Sequence, residues 1–441
     1  MKWMGLVLPA LFIFWQCTKD EPLPVAPETE EVTPNPDPTP DPTPDPTPDP
    51  QPEPGKDRVI PSDLKDLPRV YIDTPGHVGV SSKEDWVESV SVKILGDGNE
   101  LLLEDSTSKI RGRGNSTWTH YPKKPYYIKL GTKADLYGTG KSKKWVLLAN
   151  WMDRTLLRNQ VAFHAASLTC LDWTPSGGFV ELYLDGKDLG IYWLGEKINV
   201  EGSKFEADYL FSLDTSDPSE THFTTGFAYS VQKGRWSVPV EVKYPDSDDY
   251  DQAVFDGVIL DASAYLDGVG RQIRDGNLSG IDIDSFCDWL LVHELCLNSE
   301  PRHPKSCFFH RRDGILYAGP IWDFDWGTFT SGSRSLRLTQ ALWYSNLMLD
   351  ANFKSRLKQR WSSLKPSFLE LGAYIDSQAD IIRAGEAANH NMWPCYPNPL
   401  SEDGSGMVNY DEQLTFQEAV DKMKAALEER IGVIDNAMSR L

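Results

Sequence analysis

Hydrophobic and polar positions alternate with period two from Trp86 to Leu95: Val90, Val92 and Ile94 face one way and Ser89, Ser91 and Lys93 the other, the pattern of a half-buried β-strand. Similar runs predict strands over residues 67–73, 125–130 and 144–150, with residues 99–104 as the hairpin return of the first pattern. Two apolar runs flank Asp185-Gly186 between Phe179 and Leu194, and that dipeptide supplies the left-handed backbone of a two-residue hairpin turn. The spacing of Leu156, Leu157, Val161, Ala162 and Ala165 predicts a helix over residues 155–168 with Asp153 as its cap. Farther on, residues 283–297 read as an apolar helix, and residues 306–311 and 314–317 as a second hairpin. Residues 353–364, 367–384 and 414–441 read as helices, the first two separated by Pro366 and the last two by a proline-rich loop at 393–399. The pattern is therefore α+β, with a β-rich lobe over about 58–200 and a mainly helical lobe over about 201–441.

Composition changes the picture only at the N-terminal end. Of the 441 residues 40% are hydrophobic and 25% charged, ordinary globular values, and the formal charge of -21 speaks against nucleic acid or an anionic lipid surface as the main partner. Residues 18–57 concentrate acid and proline in repeated Asp-Pro-Thr-Pro units that have almost nothing to bury, which predicts an extended stalk. Ahead of it, Lys2 and the apolar run Gly5 to Trp15 are too short to span a bilayer, and the run ends at Cys17. This resembles a bacterial lipoprotein signal over residues 1–17, and Asp20-Glu21 resembles an export signal of surface lipoproteins. The expectation is an extracytoplasmic protein held by a lipid on Cys17 at the outer membrane, facing the cell surface, with no other membrane contact. The cysteines carry no metal-ligand spacing.

Candidate chemistry lies in three places. Asp323-Phe-Asp325 sets two carboxylates at i and i+2, on one side of an extended segment and wedged between Trp322, Phe324 and Trp326, where burial without a cation is costly. About 20 residues upstream, a loop holds Asn298, Glu300, His303 and Lys305-Ser306, joined to the aspartates by a hairpin; in kinase-like sites a base-bearing loop, a hairpin and a metal-binding Asp follow in that order. Arg113-Gly-Asn115-Ser and Lys124 form a basic turn and strand able to meet phosphates, and Glu196 could pair a phosphate-binding lysine.

Lys144-Trp-Val-Leu-Leu-Ala-Asn with Asp153 and Arg158-Asn159, Val180 to Tyr192, Arg113-Gly-Asn-Ser with Pro122-Lys-Lys, and Gly319-Pro-Ile-Trp-Asp-Phe-Asp-Trp-Gly together resemble the CotH family of atypical protein kinases, in family order from about Leu67 to about Met438. The resemblance implies a two-lobed kinase-like fold, ATP with Mg²⁺ or Mn²⁺, and phosphoryl transfer to Ser or Thr of a protein. By position it assigns Lys124 to the nucleotide phosphates, Asp323 and Asp325 to the metal, and Asn298 to Glu300 to the catalytic loop. Active members carry Asp where Glu300 stands and Asn near Lys305-Ser306. Two alternatives therefore stand beside the kinase: a catalytically weak scaffold that binds a surface protein partner, and a glycan-binding adhesin using its 15 tryptophans. The chemistry requires the two aspartates to converge with the Lys124 ammonium in one crevice.

Overall fold

The computed structural model describes residues 59–61, 64–201, 204–214, 218–395 and 408–441; the expected signal, Cys17 and the expected stalk lie outside them. Seven strands close a barrel: β1 (Arg69–Asp73), β2 (Val87–Leu95), β3 (Leu101–Gly112), β4 (Tyr126–Ala134), β5 (Ser142–Leu148), β6 (Gly177–Leu184) and β7 (Lys187–Glu196). The order is β1-β2-β3-β4-β5-β7-β6, and β1 lies parallel to β6, Val70 opposite Leu182, to complete the circle. The alternation read along β2 holds: Val90, Val92 and Ile94 are buried in the barrel interior with Ile110, Ile128, Trp145 and Leu182. Asp185 and Gly186 both have positive φ (50° and 75°), so β6 and β7 are joined by the mirror-image turn their twist demands.

Two short helices stand beside the barrel. The turn α1 (Ser116–Thr119) follows β3, and α2 (Arg158–Ser167) follows β5. The latter starts three residues later than its pattern suggests because Asp153 caps a preceding turn, accepting from the Thr155 N–H at 2.9 Å and the Arg158 N–H at 2.8 Å.

The C-terminal part holds far more helix than strand, as its pattern predicts, but it is not helical alone. It contains a five-stranded sheet in the order β12-β11-β8-β10-β9, made by β8 (Tyr209–Leu213), β9 (Phe223–Ser230), β10 (Arg235–Tyr244), β11 (Cys307–Arg312) and β12 (Ile315–Ala318). Helices α3 (Gln252–Arg274), α4 (Ile283–Leu295), the turn α5 (Tyr344–Leu347), α6 (Ala351–Leu369), α7 (Leu371–Met392) and α8 (Phe416–Arg440) accompany it. Pro366 does not divide two helices but lies inside α6, where Leu364 and Phe368 stay buried on either side. The loss of one backbone donor is offset by that continuous apolar face, and the break comes instead at Glu370. One core joins α2, this sheet and the helices, and Trp193, Trp289 and Trp361 lie in it, with Trp145 inside the barrel, as packing residues. Cys170, Cys287, Cys296, Cys307 and Cys395 are free thiols. No described helix is long and apolar enough to cross a membrane.

Candidate active site

A cavity of about 340 Å³ lies against the loop after β3, the segment after β5, the ends of β8 and β11, and the Asp323-Phe-Asp325 segment. Its loop is compact by necessity. Gly114 has φ of 84°, and a Cβ there would fall 2.3 Å from the Thr117 hydroxyl, so only glycine closes this turn.

The acidic segment is held in a conformation that an L-residue resists. Asp323 has φ of 68°, a left-handed backbone costing roughly 1–2 kcal/mol, and it follows Trp322, which is packed against Phe163. Two buried amides compensate. Asn159 of α2 accepts the Phe324 N–H at 2.8 Å and donates to Asn150 at 3.0 Å, while Asn298 donates to the Asp323 carbonyl at 3.2 Å. Asn409 adds a third clamp, donating to the Asp325 carbonyl at 2.9 Å and accepting from Gly327 at 2.8 Å. The motifs at residues 144–159 thus serve as the frame of the aspartate segment. Arg158, almost wholly buried between Asp153 and Asp411, extends that frame by donating to the Thr328 carbonyl at 3.1 Å.

Within the cavity Glu300, Asp323 and Asp325 gather. Burial, and then the charge of Asp323, pushes the Glu300 carboxyl well above its ordinary range, and the Asp325 carboxyl is raised for the same two reasons and by a hydrogen bond with Asp323. Glu300 is 6% exposed, and its Oε2 has no hydrogen-bond partner. Its backbone is fixed by Asn298, whose Oδ1 accepts the Glu300 N–H at 3.0 Å, so Asn298 joins the two loops. Arg113 brings a countercharge: burial lowers its pKa, while Asp323 and Asp325 raise it, and its guanidinium lies 5.4 Å from the Trp322 ring centre. Burial and the same aspartates push Tyr121 up to about 12. Asn115 lines the cavity from the loop and accepts from Lys83 at 3.2 Å.

Two expected residues are elsewhere. Lys124 does not line the cavity; its ammonium donates to the Trp118 carbonyl at 2.5 Å, because the turn α1 folds back over it. The condition that Lys124 share a crevice with the aspartates is not met; the cations that line the cavity are Arg113, Lys123, Lys243 and Lys305. Glu196 is buried in an ion pair with Lys204 and accepts from Thr139 at 2.9 Å, a structural use of the carboxylate. His303 does not line the cavity either, and burial lowers its pKa to about 4.

Three further residues enter the site. Asp214 at the end of β8 accepts the Ser306 N–H at 3.1 Å, and the Ser306 hydroxyl lies 3.3 Å from the Asp323 carboxylate; Lys305 is the cation that most opposes the rise in the Glu300 pKa. The neighbour of Lys124 is also unusual. Lys123 is 1% exposed, donates to the Ile191 carbonyl and to Asn389 at 2.9 Å, and burial depresses its ammonium to about 7. Between that value and the ordinary 10.5 the unfolded chain binds a proton that the folded chain does not, so this residue adds stability as pH rises through that window. The wild type is expected to gain on Lys123→Met in melting temperature between about pH 6.5 and pH 9; a constant gap across that range would contradict the assignment.

The acids facing the cavity (Asp214, Glu220, Glu241, Glu300, Asp323 and Asp325) outnumber its bases, and all present hard oxygen donors of the kind that suit Mg²⁺ or Mn²⁺. No curated protein matches the chain. The family model described as CotH kinase protein matches residues 110–434, from the end of β3 through the aspartate segment into α8. The chain belongs to the CotH kinase family.

Proposed function

We propose that this protein transfers the γ-phosphoryl group of ATP to a Ser or Thr hydroxyl of a protein, with a divalent cation, and that the barrel and the C-terminal part act as the two lobes of a kinase-like fold. The observation that supports this most is the partnerless, buried Glu300 oxygen beside the paired Asp323 and Asp325. Three carboxyl groups packed together, Glu300 buried and the two aspartates half-buried, are costly, and protonation or a cation is what relieves them. A bound Mg²⁺ or Mn²⁺ would be held by Asp323 and Asp325 and would neutralise charge on the phosphate oxygens. Arg113 offers a guanidinium to the same phosphates, and its planar donors suit them better than the ammonium of Lys124 would. Glu300 is the group placed to take the proton of an incoming hydroxyl, its backbone fixed through Asn298. Asn115 and the backbone of the Gly114 turn cover the nucleotide from the barrel side. In the cell we propose that the domain is carried on its acidic stalk from a lipid on Cys17, outside the cytoplasm.

Two observations favour a second reading, a nucleotide-binding scaffold: Lys124 is turned away, and Lys305-Ser306 stands where active members carry an amide. Thermal melting with ATP and Mn²⁺ tests what both readings share. A rise of several degrees, abolished by EDTA, is expected, with Arg113→Ala weakening the apparent ATP affinity by about ten- to a hundredfold, the ~1.5–3 kcal/mol of a charge-assisted bond. Absence of any shift with any nucleotide and metal pair would end the proposal.

A further inference from the structure

We propose that a row of cations on the outside of the barrel, running from Lys109 through Lys129 and Lys144 to Lys197 and Lys243, binds an acidic segment of the polypeptide substrate and leads it to the cavity. The proposal rests on the kinase reading for what happens in the cavity, but not for the binding itself.

The strand register makes the row. Lys109 lies directly opposite Lys129 across β3 and β4, Lys129 lies opposite Lys144 across β4 and β5, and the Lys197 N–H donates to the Lys144 carbonyl at 3.3 Å. Side chains directly opposite on antiparallel strands share a face, and like charges there repel. Aromatic rings hold the row in place: Lys109 and Arg111 each lie 4.8 Å from the Trp86 ring centre, and Lys197 lies 4.7 Å from that of Tyr127. Lys197 is only half exposed, and burial followed by Lys144, Lys243 and Arg111 depresses its ammonium to about 8, with Asp246 opposing them.

Acids do not balance this face. Glu88 pairs with Lys109 at 3.2 Å and Glu241 with Lys243 at 2.6 Å, but among the described residues no carboxylate lies at ion-pair distance from Lys129, Lys144 or Lys197. In a chain of net charge -21, three neighbouring unpaired lysines are a local reversal of sign that an external anion would relieve. The row also points somewhere: Lys243 lines the cavity, and Arg113 within it stands two residues beyond Arg111. Adjacent strands are ~4.8 Å apart, so Lys109, Lys129 and Lys144 span roughly 10 Å, the reach of about three extended residues. Asp or Glu side chains along an extended peptide match that span, which commits the occupant to an acidic stretch flanking the Ser or Thr to be modified.

Fluorescence anisotropy with the full chain and two labelled serine peptides, one flanked by glutamates and one by lysines, tests this. The acidic peptide is expected to bind with a steep salt dependence and the basic one not to bind. Lys129→Glu/Lys144→Glu should weaken the acidic peptide by about tenfold or more, ~1.4 kcal/mol. Lys129→Gln/Lys144→Gln should lose part of the affinity without reversing charge, and melting curves confirm that both variants fold. Equal binding of the two peptides, or undiminished binding by both folded variants, overturns the proposal. So does loss of the ATP and Mn²⁺ melting shift in the variants, which would give the row to the nucleotide, or a preference for anionic vesicles over the peptide. If the wild type shows no nucleotide shift yet binds the acidic peptide through these lysines, the kinase reading fails and the binding row stands.

Discussion

Asp323→Ala is expected to lower phosphoryl transfer by about a thousandfold or more while raising the melting temperature of the metal-free protein. The two effects have one cause. Asp323 stands first among the charges that push Asp325 and Glu300 upward, so deleting it relieves repulsion among these closely packed carboxyl groups. The same deletion removes the oxygen donor that the cation and, through it, the phosphates require. Alanine in the left-handed backbone at φ of 68° subtracts roughly 1 kcal/mol from that relief. Melting in EDTA should therefore improve, the Mn²⁺-induced rise should vanish, and radiolabel transfer from ATP should fall to background. A variant that still transfers phosphate would remove Asp323 from the site, and one that still gains stability from Mn²⁺ would move the cation elsewhere.

Much of this frame was visible in the letters, and the exceptions have physical reasons. Strong alternation in β2 and the Asp185-Gly186 turn each left one readable arrangement, and the aspartate pair singled out between aromatics lines the cavity. Strand β8 gave no alternation to read because all five of its residues are buried. Strands β9 and β10 are separated by a glycine-bearing turn, and β10 carries Pro239, which lowers a strand reading. The stripe of α3, with Phe255, Ala262, Leu266, Val269 and Ile273 buried at helical spacing, was there to be found. In the site, adjacent Lys123 and Lys124 could not be told apart by any period; tertiary contacts with Ile191 and Asn389 bury one, and the turn α1 captures the other. Asp214 enters only because β8 pairs with β11, a contact across 94 residues between Leu213 and Cys307 that no local signal encodes.

Arg158 is expected to carry the largest single contribution to stability among these residues. Its guanidinium is 1% exposed and bridges two carboxylates that are themselves fully buried: it pairs with Asp153 and, at 2.6 Å, with Asp411. Arg158→Met would leave both anions in the interior without a cation, a situation that costs about 3–5 kcal/mol. The loss would also travel to the site. Arg158 donates to the Thr328 carbonyl, and the Thr328 hydroxyl donates to the Phe324 carbonyl at 2.5 Å, between the two aspartates. Arg158→Lys keeps a charge but cannot span three acceptors with a planar fork, so it should recover only part of the stability. The sign of the pH dependence separates this account from simple loss of packing. Burial already raises the Asp411 carboxyl and Arg158 is the first influence holding it down, so without Arg158 the folded-state pKa of this carboxyl climbs further above its unfolded value. The folded variant then binds protons the unfolded chain does not, and its stability falls as pH rises through that window. Urea denaturation should show the deficit of Arg158→Met shrinking from about pH 8 to about pH 5, and Arg158→Met/Asp411→Asn should flatten that dependence; a deficit independent of pH in both would mean that the guanidinium acts by filling space and not by pairing charge.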